Sequence, residues 1–437
     1  MKKTVKWMIL AVMLFVMLSA HACAGEMTEY TAPDGARYRM DFDNGVTAYC
    51  VDKDITTVGI PDKINGYPVT RIDFTNCSKL ETAVIPEGVN SFCFSGCSAL
   101  SSVKIPEGVT FIDEKAFADC IALKLIELPD SLTMIRDDAF SGCKALTSVN
   151  LPEGMTSLGG NAFDGCVSLN AVELPENLTE IGVGAFRGCS NLTSINLPSG
   201  IRSIKAETFL GCTKLENIVI PDSVTEIKED AFNHCTALRK ITLPDSVTDI
   251  CDGAFQDCKK LKSVMLSNRL IYIGWNAFRD CKSLQTIKIP KSVTDIRAGA
   301  FSGCSKLTLT VPQTVTHIGG YDYKTAELAP FYKVKSTKYN GKSSEAVKAA
   351  ISPYAKKITK HSITLKWTKF TKASSCKVYK YNHRTKKWKL LKTIRNPKVN
   401  YYKVKNLKAG KRYSFKVKVT VDGKTYVSTL KLQRTRR

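Results

Sequence analysis

The sequence predicts a repeat solenoid of short parallel strands followed by a small antiparallel β-sandwich, and three observations predict it. Cysteine recurs at 77, 97, 120, 143, 166, 189, 212, 235, 258, 281 and 304, and every step after the first is 23 residues. Phe stands three residues before each of these cysteines, from Phe74 to Phe301, and Leu three after, from Leu80 to Leu307. A fixed period of this length marks a stack of identical units. Beyond the last unit the period gives way to alternation, and the charge changes abruptly. Residues 333–437 carry 32 Lys and Arg against two acids, Glu345 and Asp422, or +30, and the remaining chain sums to −6. A nearly neutral body is joined to a very basic module.

The first segment reads as a signal peptide over 1–24. Lys2, Lys3 and Lys6 precede an apolar run from Trp7 to Ala20, and Ala20-His21-Ala22 fits a small-x-small cleavage site. That run is shorter than the roughly 20 residues a membrane span requires, and no later run is long and apolar enough for one. The mature chain is expected to begin near Cys23 or Gly25, outside the cytoplasmic membrane. Lipid anchoring at Cys23 is the runner-up, disfavoured by His21 where such signals place a small residue.

Residues 25–75 are expected to cap the stack, because a terminal repeat would otherwise expose its core. Tyr38 to Val51 alternates on both sides of Asn44-Gly45, a hairpin signal. Asp41 and Asp43 hint at a calcium loop whose other ligands are missing, so a plain hairpin is the better reading. Val58 to Asp73 is a degenerate first turn.

The repeats proper span 76–320. In "LTSVNLP" (Leu146 to Pro152) the apolar residues alternate, giving a short strand, and proline ends it, as at Pro129, Pro175 and Pro221. "IGVGAF" (Ile181 to Phe186) predicts a helical or 3₁₀ turn that returns the chain. One unit cannot bury its apolar side alone, whereas units stacked about 4.8 Å apart can.

These residues resemble the BspA-like class of leucine-rich repeats, over about Val51 to Gly319. The resemblance implies a right-handed, curved solenoid. It also implies that the positions five and seven after each Cys face solvent on the inner strand: Ser102, Lys104, Leu125, Glu127, Ser148, Asn150, Ala171, Glu173, Ser194, Asn196, Asn217, Val219, Lys240, Thr242, Ser263, Met265, Thr286 and Lys288. Ser267 departs from the pattern by replacing the usual Pro, and the unit after Cys304 is one residue short.

The cysteines themselves invite three chemistries. Disulfides between adjacent turns are within reach, but equivalent side chains point in parallel beside Phe and Leu, so free buried thiols are expected. Zinc needs ligands that converge, and a ladder runs along a line. His234 beside Cys235 resembles a nucleophile pair only in sequence, since neighbours in one turn rarely face each other. No metal, cofactor or catalytic residue is expected.

Residues 321–354 are expected to be a C-terminal cap and linker, with a short helix near Ser344 to Ala350. Over 355–437 six strand-like runs separated by turn residues predict the sandwich. "LKAGKRYSFKVKV" resembles the fibronectin type III segment that carries a tyrosine corner, here Tyr413, and Trp367 sits where that family places its core Trp. No Arg-Gly-Asp occurs, so integrin binding is not carried over.

Taken together, the residues point to a secreted or cell-surface, non-enzymatic binding or adhesion protein. The solenoid is expected to recognise an extracellular protein or glycan through Leu125, Glu127, Asn150, Glu173, Asn196, Lys240, Met265 and Lys288. One aberrant repeat adds Arg269, Tyr272 and Trp275, residue types enriched at binding hot spots. The basic module is expected to contact an anionic cell-envelope polymer through Lys377, Lys380, Arg384, Lys386, Lys387, Lys389, Lys416 and Lys418. Specific nucleic-acid recognition is not expected of an exported chain. The alternatives are an accessory module of an extracellular polysaccharide-degrading system and a structural envelope protein.

Overall fold

The computed structural model describes residues 28–31, 37–40, 46–50, 53–64, 66–319, 336–339, 353–367, 369–370, 373–383, 385–396, 399–421 and 423–435. Its architecture is a parallel β-solenoid that runs into two antiparallel sheets. Each turn contributes one very short strand to each of two ladders, except that at residues 125–127 the first ladder is reduced to a single parallel bridge between Lys104 and Glu127. The first ladder holds the strands after the repeat Leu, such as Ser148–Asn150, Ala171–Glu173, Lys240–Thr242 and Ser263–Met265, paired in parallel and in register. The second holds pairs such as Ser157–Leu158, Glu180–Ile181, Glu226–Ile227 and Asp249–Ile250.

The core is a set of columns. From Phe74 to Phe301 successive rings stack at centroid separations of 5.2–5.8 Å, with planes within 14° of parallel. The Cys and Leu columns lie beside the rings, and all three are fully buried. Such offset stacking adds to the area each ring removes from water.

The cysteine column carries a polar task that spacing alone does not reveal. Each thiol from Cys97 to Cys304 donates to the Phe carbonyl of the preceding turn at 3.0–3.2 Å. The same carbonyl accepts the backbone N–H of the Cys in its own turn, as when Phe186 O takes Cys189 N at 3.2 Å and Cys212 Sγ at 3.1 Å. Both lone pairs of a buried acceptor are thereby used, which a methyl group at this position would not achieve. The described cysteines are all free. Burial pushes the Cys143, Cys189 and Cys235 thiols well above their ordinary range. Cys77 moves the other way, because the Cys50 thiol bonds to its sulfur and the Lys53 ammonium stands 3.8 Å away.

The turns between the ladders are not helical, contrary to expectation, and no helix occurs among the described residues. The physical reason is two left-handed residues per turn. One directly precedes the Cys and is Gly142, Asp119, His234 or a relative of these. The other lies five before it, as at Asp138, Asn161 and Glu207. A residue with positive φ interrupts any right-handed helix. Proline begins the next turn, where Leu178 N donates to Pro175 O at 3.0 Å. Ser267 preserves that turn in proline's absence: Leu270 N bonds Ser267 O at 3.2 Å, and Ser267 Oγ accepts Arg269 N at 3.0 Å.

At the N-terminal end, Arg37–Met40 and Val46–Cys50 pair as the expected hairpin, and Thr28–Thr31 adds an unforeseen antiparallel strand. Val46–Cys50 then pairs in parallel with Tyr67–Asp73 and so joins hairpin to stack. Asp41, Asp43 and the helix near Ser344 to Ala350 lie outside the described residues. At the other end the first ladder continues past Thr308–Val311 to Ser336–Tyr339 and on to Lys369–Phe370. A strand of the basic module therefore extends the solenoid's own sheet.

That module consists of a three-stranded sheet, ordered Tyr354–Ile358, Ile363–Lys366, Tyr401–Val404, and a four-stranded sheet, ordered Lys387–Ile394, Ala373–Asn382, Arg412–Val421, Lys424–Arg434. Trp367, Val378, Phe415 and Val417 are buried in its core. The Tyr413 hydroxyl accepts the backbone N–H of Lys408 at 2.8 Å.

Candidate binding surfaces

The first ladder presents side chains that recur from turn to turn. In a strand of two or three residues the middle side chain enters the core, so its neighbours point outward in every turn. The eighteen strip positions follow this rule: all are exposed except Ser148, which is half-buried. Small and charged residues make up most of the strip, but several large apolar ones stand out of it. Val219 is 76% exposed, Met265 65% and Leu125 61%. Val219 and Met265 occupy the same column two turns apart, with Thr242 between them. Val84, 54% exposed, holds the matching place at the solenoid's N-terminal end, seven residues after Cys77, and is a strip position outside those expected from the sequence.

Arg269, Tyr272 and Trp275 do not join this strip. Tyr272 belongs to the second ladder, opposite Asp249 and Asp295, and Trp275 lies in the turn beyond it. The Arg297 guanidinium lies 5.4 Å from the Tyr272 ring, and Trp275 N–H donates to Asp252 Oδ1 at 2.7 Å. The aberrant repeat thus forms a local cluster on a different face from Met265.

The second ladder also carries a shallow groove of about 480 Å³, lined by Met134, Arg136, Ser157, Gly159, Gly182 and Lys205. Its floor exists because a Cβ at Gly182 would lie 2.3 Å from the backbone of Gly159 and Gly160. Its cations are already engaged: Arg136 pairs with Asp113 at 2.9 Å and covers the Phe111 ring at 4.2 Å, and Lys205 pairs with Glu180.

His234 and Cys235 face apart. The imidazole Nδ1 is 2.7 Å from Asn233 Oδ1 and its Nε2 is 3.8 Å from Asp257, while the thiol bonds Phe209 O inside the core. His234 sits at a left-handed position with φ 61°, which accounts for its place among Gly, Asp and Asn in that column. Among the described residues no group of His, Cys, Asp and Glu converges as a metal site, and no helix is long and apolar enough to cross a membrane.

The basic module sorts its lysines onto two sides. Lys377, Lys416 and Lys418 alternate with buried Val378, Val417 and Val419, so they point away from the sandwich core. They share that outer face with Tyr379, Tyr381 and Trp388. Lys416 Nζ lies 5.2 Å from the Tyr379 ring and 4.5 Å from that of Trp388, and Lys418 Nζ is 5.4 Å from Tyr379. Lys380 and Lys389 pair across the strands on the opposite side, where Lys380 Nζ covers Tyr413 at 5.6 Å. Lys387 is next to Trp388 in sequence and so alternates onto the side of Lys389. Lys386 occupies the hairpin turn with φ 51°, and Arg384 lies outside the described residues. Lys416 has its pKa lowered, by burial first and by Lys418 second.

Comparison with known proteins places this architecture. The profile of a family described as BspA type leucine-rich repeat region (6 copies) matches three overlapping stretches, residues 48–124, 110–237 and 202–329. A leucine-rich cell surface protein from Faecalibacterium prausnitzii A2-165 is 27% identical, with a TM-score of 0.51 over 74% of this chain and 97% of that one. A leucine-rich repeat protein from Bacteroides ovatus is 26% identical, with a TM-score of 0.46 over 73% of this chain and 94% of its own. No curated protein sequence matches the chain.

Proposed function

Because the chain belongs to the BspA-type leucine-rich-repeat family, we propose that it is a cell-surface, non-enzymatic binding protein with two separate contact surfaces. The first-ladder strip recognises an extracellular protein or glycan. The basic module, read as fibronectin type III-like, makes a salt-sensitive contact with an anionic envelope polymer. The similarity to a cell surface protein of Faecalibacterium supports the location. The three-plus-four strand arrangement and the Tyr413–Lys408 bond support the module's assignment.

The observation that carries the reading is the strip itself. Val219, Met265 and Leu125 each expose more than half of their surface on a face whose register repeats turn after turn. Val219 and Met265 share one column two turns apart, and apolar side chains grouped on a surface mark interaction sites. A rigid ladder also holds them without the ordering cost that a loop would carry on binding. Lys240 and Lys288, with Glu127 and Glu173, give the same face both signs of charge.

A photo-cross-linking side chain at position 219 tests this, compared with one at exposed Val183 in the turn beyond the second ladder. Incubated with cells of the source organism and its surroundings, position 219 is expected to give a defined adduct and position 183 none. Equal yields from both positions would contradict a privileged strip.

A further inference from the structure

The outer face of the four-stranded sheet supports a narrower conclusion than charge alone, and it rests on the proposed contact of the basic module with an anionic polymer. We infer that Tyr379, Tyr381 and Trp388, together with Lys377, Lys416 and Lys418, form a site for an acidic polysaccharide whose sugar rings carry carboxylates.

The register assembles the site from three strands. Tyr379 lies opposite Leu390 on one side and Lys416 on the other, Tyr381 lies opposite Trp388, and Lys377 lies opposite Lys418. Rings and ammonium groups therefore alternate across one surface, and Leu390, 46% exposed, extends it. A pyranose has an apolar C–H face that an aromatic ring covers and, in a uronate, a carboxylate at its rim that an ammonium takes up. Both halves of that recognition are within one sugar's reach here. Trp388 and Tyr379 are linked through the Lys416 ammonium, which lies about a ring's width from each.

Charge complementarity selects an acidic rather than a neutral glycan. Residues 333–437 hold two acids for 32 basic residues, so neighbouring carboxylates cannot neutralise these lysines. Lys416 and Lys418 both lean over Tyr379, and like charges held so close favour an anion between them. Ring geometry selects a glycan over a nucleic acid. The Tyr381 and Trp388 planes are tilted by 56°, and those of Tyr381 and His383 by 89°, so they offer no parallel platform for successive bases.

The full mature chain should be titrated with four probes of matched length: polygalacturonate, polyphosphate, dextran and single-stranded DNA. Polygalacturonate is expected to bind tightest, and Trp388→Ala to weaken it about tenfold while leaving polyphosphate unchanged. Lys416→Gln, which keeps the rings, is expected to weaken both. If Trp388→Ala leaves polygalacturonate binding intact while polyanions still bind, the sugar site is overturned but the salt-sensitive contact stands. Tighter binding of DNA than of polygalacturonate overturns the choice of ligand. If no polyanion binds at all, the wider reading fails with it.

Discussion

Phe186→Ala is expected to destabilise the solenoid by about 3–5 kcal/mol, the range for removing a buried aromatic ring from a core that cannot collapse around the gap. Phe186 is fully buried and stacks on Phe163 at 5.7 Å and Phe209 at 5.8 Å. Its removal takes a partner from both rings at once. In a stack where each unit touches only its neighbours, such a loss acts mainly on the two interfaces beside it. Urea unfolding monitored by backbone circular dichroism should therefore show an earlier and broader transition. If the midpoint is unchanged, the Phe column is not the spine of the fold.

Gly182→Ala is expected to cost about 2–3 kcal/mol, the upper part of the range for overpacking, although alanine adds a single methyl. The new Cβ would lie 2.3 Å from Gly159 C and Gly160 N, and backbone cannot swing aside as a side-chain end can. Gly108→Ala is the matched comparison. It meets nothing within 4 Å and bears only the cost of its φ of +89°, about 1–2 kcal/mol. The ordering of the two, read from unfolding midpoints, separates steric closeness of the turns from backbone conformation. A smaller loss at 182 than at 108 would contradict the close approach.

Much of the body was legible from the period alone. Phe, Cys and Leu at fixed offsets become buried columns because a stack repeats its geometry as faithfully as its sequence. The strip residues follow from the same counting, since a three-residue strand has one inward and two outward positions. The small residues of "GAF" predict a helical or 3₁₀ turn, whereas two left-handed φ angles keep the chain out of either helix. Asp119 and Asn161 were the available signal, at places where Gly stands in other turns. The thiol-to-carbonyl bonds were illegible, because nothing in spacing distinguishes a Cys that only fills space from one that also donates.

The second module was read less completely. Tyr354–Ile358 is a strand that its sequence does not announce, since "YAKKI" has too few apolar residues to alternate clearly. The lysine set was treated as one surface, whereas alternation sends Lys380 and Lys389 to the side opposite Lys377 and Lys416. A bulge between Val378 and Tyr379 shifts the register with the neighbouring strand. Continuation of the first ladder through Ser336–Tyr339 to Lys369–Phe370 carries no repeat residue, so only the backbone pairing displays it.

The central claim is that one protein carries two independent contact surfaces, and cosedimentation with purified envelopes tests it most directly. Three forms of residues 25–437 are compared between about 50 and 500 mM salt: the natural sequence, Val219→Lys with Met265→Lys, and Lys377→Gln with Lys416→Gln and Lys418→Gln. The account predicts that the natural chain and the strip variant both sediment at low salt and are released as salt rises, while the lysine variant stays in solution. Sedimentation of the lysine variant at the natural level, with the same salt dependence, would contradict it.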